Sequence, residues 1–378
     1  MITFENSEKR IVYFLLCLGS FTISFNLAAI TAAVPVISGD LHLPDLLVAK
    51  IIPFYFIPYG IAALIYAPLM RFFNYRTVLA VSMLFYALAC YFCAMSAQLG
   101  LLFVGRVAMG IAAAGVIPLG LMIIGEFYPK SIRGRLVGIF FGCTFIASLT
   151  GVISTSFADW RYLFHIPALL GLILMLSVWI YPSGLLRKKH DGHINYLKSL
   201  RTPHALPVFL FIFAISFLYH GVYTWYGVYL SRVYHLDKVT ISFLVAGTLV
   251  GGFCGQLLGG VLSDLKGREV ACYTGIIGLG LSIVLLYFKH PLAILAVVLF
   301  CIATSWTIGH NGLSTVLTDF PDEDRPIIAS LNSAVRFTSG GLGFQISSLF
   351  VSTSFELTFL AIGILILLLA FIFKYIIP

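Results

Sequence analysis

Four residues that can carry positive charge stand inside long apolar runs of this chain: Arg106, His220, His310 and Arg336. Arginine keeps its charge at any working pH, and its planar fork of five N–H donors suits carboxylates and other oxyanions. Histidine has an ordinary pKa near about 6.5, so it takes up and returns protons under physiological conditions. The fifteen acidic residues all fall in loops or within about a turn of a run's end. The interior therefore offers positive and neutral-polar groups but no carboxylate. Asn26, Asn311 and Asn332 add amides, and Tyr55, Tyr59, Tyr223, Trp225 and Tyr226 add rings that hold the apolar body of a ligand. Such a set fits reversible recognition of a small amphipathic anion, or of a neutral polar organic compound. It does not fit bond-making chemistry: no catalytic triad, nucleotide loop or metal-ligand spacing occurs, so neither an enzyme, a cofactor nor a metal is expected. Each residue also has a plainer reading. Arg336 lies about ten residues into its run and can snorkel to an interface, Arg106 can brace neighbouring helices, and a lone histidine can simply pack.

The elements that hold these residues follow from composition. The chain is 60% hydrophobic and only 10% charged, where soluble domains carry about a quarter charged residues. Its apolar runs approach or exceed the roughly 20 residues that a bilayer demands of a helix. They lie near 10–37, 46–70, 76–96, 99–126, 133–156 and 162–183, then 205–232, 238–263, 269–288, 291–317, 326–352 and 355–376. A barrel would instead show alternating segments of about ten residues. The expected fold is an all-α integral membrane protein with twelve transmembrane helices in two pseudo-symmetric six-helix bundles. The first run is too long for a signal peptide and is expected to remain as a helix.

With the N-terminus inside, sixteen of the 23 Lys and Arg fall in cytoplasmic segments and five in outer loops. That asymmetry obeys the positive-inside rule. It predicts a multi-pass protein of the plasma or inner membrane with both termini cytoplasmic. The net charge of +8 is then a topology signal with some attraction to membrane lipid, and it needs no nucleic acid. All seven cysteines sit in apolar runs, so no disulfide framework is expected. A monomer suffices for such a bundle, with a small-molecule substrate and protons as the expected partners.

The stretch "SGLLRKKHDGHINYLKSLRTPH" (183–204) is the only long hydrophilic interval. It divides the chain into a first bundle (1–183), a cytoplasmic linker (184–204) and a second bundle (205–378). Transporters are commonly built from such repeated halves, with the substrate near the midplane where they meet. The turn after the second run, "APLMRFFNYRTVL" (67–79), aligns with "GGVLSDLKGREVA" (259–271) after the eighth. Arg71 then falls on Asp264 and Asn74 on Gly267. Both Asn74 and Gly267 tolerate positive φ, so the same tight turn is expected at both.

Here the chain resembles the major facilitator superfamily. "GVLSDLKGRE" (260–269) resembles the family's loop signature, Gly-x-x-x-Asp-Arg/Lys-x-Gly-Arg-Arg/Lys, with Lys266 shifted one place. "GRVAMGIAAAGVIPLG" (105–120) followed by "EFYPKSIRGR" (126–135) resembles its Arg-bearing fourth helix and exit loop. "DWRYLF" (159–164) resembles the lead into the sixth helix. "FNLAAITAAVP" (25–35) resembles the first-helix pattern of the drug:proton antiporter branch, with Asn26 where that branch has Asp. The Gly-Pro signature of the antiporters' fifth helix is missing. The resemblance implies alternating access, with Arg106 bonding backbone carbonyls of the first helix. It also implies a cytoplasmic latch in which Asp264 faces a helix N-terminus across the halves while Arg268 pairs within its own. Gly260, Gly267 and Arg133 belong to the same gating loops. In the first half Arg71 reverses the charge of Asp264 and is expected to face Glu126, or Asp322, Glu323 and Asp324. The expected function is secondary transport of a small organic solute, with an amphipathic anion or neutral polar compound favoured. The alternatives are proton-coupled efflux of hydrophobic drugs or metabolites and a transporter-like receptor without flux.

Overall fold

A computed structural model describes residues 7–181, 183–188, 195–201, 205–316 and 325–373, without the side chains of residues 130, 131, 134, 135, 264, 314–316, 325 and 326. The first half comprises α1 (Ser7–Leu41), α2 (Asp45–Phe72), α3 (Tyr75–Met95), α4 (Leu99–Phe127), α5 (Lys130–Phe157) and α6 (Tyr162–Ile180). The second comprises α7 (Ala205–Tyr234), α8 (Lys238–Lys266), α9 (Arg268–Leu285), α10 (Leu292–Val316), α11 (Arg325–Val351) and α12 (Phe355–Phe373). Among the described residues, eleven helical stretches are long and apolar enough to cross a membrane. α11 completes the twelve. Its 27 residues reach about 40 Å at the helical rise, and it is less apolar because it carries Asn332, Arg336 and Gln345. A spanning helix keeps such groups only where they face protein or a cavity.

Large apolar side chains are exposed around the outside: Phe85, Leu169, Leu258 and Leu349 are each more than half open. In water these would form an adhesive surface; in lipid they are the solvent-facing layer. Inside, hydroxyls tie helices together through backbone carbonyls. Tyr13 donates to the Leu136 carbonyl at 2.7 Å and Ser20 to that of Phe140 at 3.0 Å, which pins α1 to α5.

The two halves repeat each other in backbone detail. α1 is interrupted at residues 25–28 and α7 at residues 224–225. Both helices end on a histidine in the left-handed region, His42 and His235, each with φ of 55°. Among the described residues these are the only non-glycine positions with positive φ. Asp237 caps α8 by accepting from the Thr240 N–H at 2.8 Å. Bonds from Thr240, first its side chain and then its backbone, hold this carboxyl below its ordinary value. Within the halves α1 packs on α5 and α3 on α6, while α8 packs on α10 and α9 on α12. The halves meet where α2 packs on α11, where α5 packs on α8, and where the distal part of α1 meets α7.

The turns at Asn74 and Gly267 differ, against the expectation that they match. Gly267 has φ of +92°, a conformation that L side chains rarely adopt. Asn74 has φ of −71° and caps α3 by accepting from the Thr77 N–H at 2.8 Å. Its side chain replaces the backbone twist with a cap, which asparagine does well in an extended conformation.

Candidate substrate site

Arg336 is buried, with 9% of its surface exposed. Its Nε donates to Asn332 Oδ1, one turn earlier on α11, at 2.7 Å. Both terminal nitrogens, Nη1 and Nη2, are fully buried and have no hydrogen-bond partner among the described residues. Each N–H left bare in an apolar surrounding costs on the order of 1–3 kcal/mol, more when charged. The guanidinium borders a cavity of about 10 Å³, room for about one water, lined also by Ser305, Trp306, His310 and apolar residues of α7 and α9.

Trp306 lines the same cavity, and a row of aromatic rings starts from it. Trp306 stacks on Tyr219 with centroids 4.0 Å apart and planes within 4°. His220 stands edge-on to Trp306 at 5.9 Å and to Phe56 of α2 at 5.6 Å. Tyr59 of α2 stacks on Phe337 of α11 at 3.8 Å, so the residue after Arg336 contacts the opposite half. Tyr223 and Tyr226 continue the row on α7, edge to face at 5.5 Å. The Tyr226 hydroxyl is buried without a partner among the described residues.

The structure brings together Asn332, Arg336, His220, His310 and Tyr59, but draws other expected site residues into different work. Arg106, 1% exposed, donates from Nε to the Ile51 carbonyl at 3.0 Å and from Nη1 to Asn26 Oδ1 at 3.4 Å. Its guanidinium lies 4.4 Å above the Tyr55 ring. It therefore ties the break in α1 to the start of α2, and its backbone partner lies on α2 instead of the expected first helix. Asn26 keeps Nδ2 unpartnered. Trp225 is wholly buried within the second half, stacked on Phe344 at 4.4 Å with its N–H on Ser347 Oγ. Asn311 donates to the Gln256 carbonyl at 2.9 Å and joins α10 to α8.

The gating residues are spread in the same way. Arg71 is exposed and makes no hydrogen bond or ion pair among the described residues. Glu126 instead accepts from the Tyr75 hydroxyl at 2.6 Å, and Arg133 donates to the Tyr128 carbonyl at 2.7 Å. Gly260 faces Asn311 with room to spare, and Arg268 opens α9. The Asp264 side chain and the acids Asp322, Glu323 and Asp324 lie outside the described residues.

Trp306, Tyr219 and Ser216 are the neighbours that sequence reasoning passed over. A helical signal existed: Trp306 precedes His310 by four residues and Ser216 precedes His220 by four, which puts each pair on one face. A polar seam at the end opposite the linker was also missed. Arg232 Nε pairs with Asp45 Oδ2 at 2.9 Å, joining α7 to α2, and the hydroxyls of Thr155 and Ser242 join α5 to α8.

Comparison with known proteins agrees with this architecture. The Major Facilitator Superfamily profile matches residues 16–344. A thioclapurine efflux transporter of Claviceps purpurea (strain 20.1) is 30% identical over 46% of this chain and 33% of its own length. A probable galactarate/D-glucarate transporter of Bacillus subtilis (strain 168) is 24% identical over 52% of each chain. The chain thus spans between a third and about half of these curated relatives. A crystal structure of a bacterial homolog to the human lysosomal transporter Spinster, inward-facing and unoccupied, superposes with a TM-score of 0.75. It covers 99% of this chain and 98% of that one at 14% identity, and so bears on the fold alone. Twelve helices in two repeated halves and a profile that runs through both lead to one assignment: the chain is a multi-pass membrane protein that belongs to the major facilitator superfamily.

Proposed function

We propose that the protein is a secondary transporter that moves a small organic anion across the membrane by alternating access. The two unpartnered nitrogens of Arg336 carry this reading. A buried guanidinium with four of its five N–H donors bare is poised for a bidentate oxyanion, whose arrival turns a desolvation cost into charge-assisted bonds. The stacked Tyr219–Trp306 pair offers a flat apolar surface for the rest of the molecule. A neutral compound with an acceptor-rich end fits the same donors less strongly. The role extends to Tyr59, His220, Tyr223, Tyr226, His310 and Asn332 as walls of the site, with Asn26, Tyr55 and Arg106 supporting it from the first half.

In this reading the bundles are residues 1–183 and 205–378, the segment 184–204 is cytoplasmic, and a monomer in the plasma or inner membrane does the work. The Asp45–Arg232 and Thr155–Ser242 contacts are then the outer closure. The cavity has shrunk to the size of one water, so admission of substrate requires the halves to rock about α2–α11 and α5–α8. Asp264, with Arg268 and Gly267, is the counterpart on the cytoplasmic side.

Drug efflux against protons is the second reading, favoured by the efflux activity for which the Claviceps relative is named. A desolvated cationic drug needs a carboxylate, and none lies deep in a described span. Flux into liposomes decides. Organic anion uptake that collapses in Arg336→Ala supports the proposal. Transport of organic cations that ignores Arg336→Ala and is abolished by Glu126→Gln overturns it.

A further inference from the structure

The tautomer of His220 follows from its partner. Nδ1 lies 2.8 Å from the Ser216 carbonyl oxygen. A carbonyl only accepts, so Nδ1 bears the hydrogen and Nε2 keeps a bare lone pair. Ser216 also links this ring to the anion site. Its hydroxyl donates to the Arg336 carbonyl at 3.2 Å and lies 3.3 Å from His220 Nδ1. One serine thus touches both the Nδ1 side of this ring and the backbone of Arg336, which fixes the imidazole against the α11 turn that carries the bare guanidinium.

Among the described residues, the surroundings hold no compensating charge. Facing His220 are Phe56 from α2, Trp306 from α10, Gly340 from α11, and Tyr219 and Tyr223 from its own helix. The titratable or charged groups nearby are Arg336 on α11, His310 on α10 and those two tyrosines, while Cys272 of α9 reaches the α10 backbone at Gly309. No described carboxylate faces the cluster. A second positive charge beside a bare guanidinium in apolar packing is repelled and poorly solvated. An oxyanion on Arg336 removes that repulsion.

We infer that the anion enters with a proton, taken from the water on the side to which the site is open and borne on Nε2 of His220. Cargo and proton then cross together as a neutral pair, and the imidazole substitutes for the buried carboxylate that the described spans lack. This rests on Arg336 as the anion site. By linkage, whatever the anion does for the proton the proton does for the anion, so binding tightens as pH falls.

Benzoate and phenylacetate are suitable probes: each carries a ring for the Tyr219–Trp306 face and stays ionised between pH 6 and 8. Calorimetry on the purified full-length chain, in buffers of different ionisation heat, counts protons taken up per anion bound. Uptake approaching one proton is expected, with Kd rising by up to about tenfold per pH unit. In His220→Gln the affinity should lose its pH dependence, while in His165→Gln, on α6 against Tyr91, it should keep it; thermal unfolding of both variants checks that they fold. Binding that is lost in Arg336→Ala yet takes up no proton in the parent chain overturns the inference while sparing the anion reading. Unchanged pH dependence in His220→Gln overturns it too. If neither probe binds, or both bind equally well to Arg336→Ala, the anion reading itself fails.

Discussion

Two arginines lie buried in the same membrane-spanning protein, and their surroundings assign them opposite work. Arg106 has a carbonyl, an amide oxygen and an aromatic face around its guanidinium. Arg336 has one amide on Nε and nothing on its two outer nitrogens among the described residues. The first is a completed joint. The second is an unfinished one, kept unfinished in a cavity between rings. Burial alone therefore does not separate the two; the count of unsatisfied donors does, and the proposed anion role of Arg336 rests on it.

The largest expected effect tests the unfinished joint. Arg336→Ala should lower anion uptake into liposomes by at least about 100-fold, the worth of two charge-assisted hydrogen bonds. Its unfolding temperature should hold or rise, because an uncompensated buried charge has been removed. A fall in stability with transport intact would erase the distinction. Arg106→Ala should behave in the reverse sense. It strands the Ile51 carbonyl and Asn26 Oδ1, and should cost about 2–4 kcal/mol, read as a lower midpoint in thermal unfolding.

A smaller effect is expected where the two halves touch beside Arg336. A Cβ at Gly60 would meet the Thr338 hydroxyl, and would lie 2.7 Å from the Thr338 nitrogen and 2.8 Å from the Ala334 carbonyl oxygen. Backbone cannot yield as a side chain can, so Gly60→Val should cost about 1–3 kcal/mol and slow transport without changing the ion preference. Measured initial rates against a panel of anions and cations would separate slowing from altered selectivity. The smallest effect belongs to Asp45→Asn, which releases the half-exposed Arg232 contact at the start of α2, six residues before the carbonyl that Arg106 bonds. Solvent-screened pairs are worth about 1 kcal/mol or less, so a shift of only a few-fold in accessibility of an engineered cysteine is expected, and less in high salt.

The twelve spans were legible because lipid imposes one rule on every helix, and hydropathy reports that rule directly. α11 was legible from its length, although Asn332, Arg336 and Gln345 make it the least apolar of the set. The difference between Arg106 and Arg336 was not legible, because the decisive partner of Arg106 is the backbone of Ile51. A carbonyl has no signature in sequence, and its position depends on how α2 enters the bundle. The breaks in α1 and α7 were hidden for a related reason: residues 25–28 and 224–225 lie inside continuous apolar runs with no proline or glycine among them. The packing of Trp225 on Phe344 was not legible either, because ring type is visible in sequence while the direction a ring takes after a helix break is not. The aligned turns misled through Asn74, whose side-chain cap and backbone twist are two different uses of one residue.

The interval between the halves has a mechanical consequence. Glu8 accepts from the Ser183 hydroxyl and the Leu185 N–H, Arg76 grips the Tyr181 carbonyl, and the Tyr75 N–H reaches the Lys188 carbonyl. Further on, Tyr196 donates to the Leu64 carbonyl at 2.8 Å, on a short helix (Tyr196–Leu200) that also packs on α11. Only six residues, 189–194, separate the last of the first anchors from Asn195. Fully drawn out, such a segment reaches about 25 Å. Both ends of that stretch are held on the first half, at Tyr75 and Leu64, while the short helix also leans on α11, so the interval works as a clasp: the second half swings away only by sliding off this helix or by pulling Tyr196 from the Leu64 carbonyl.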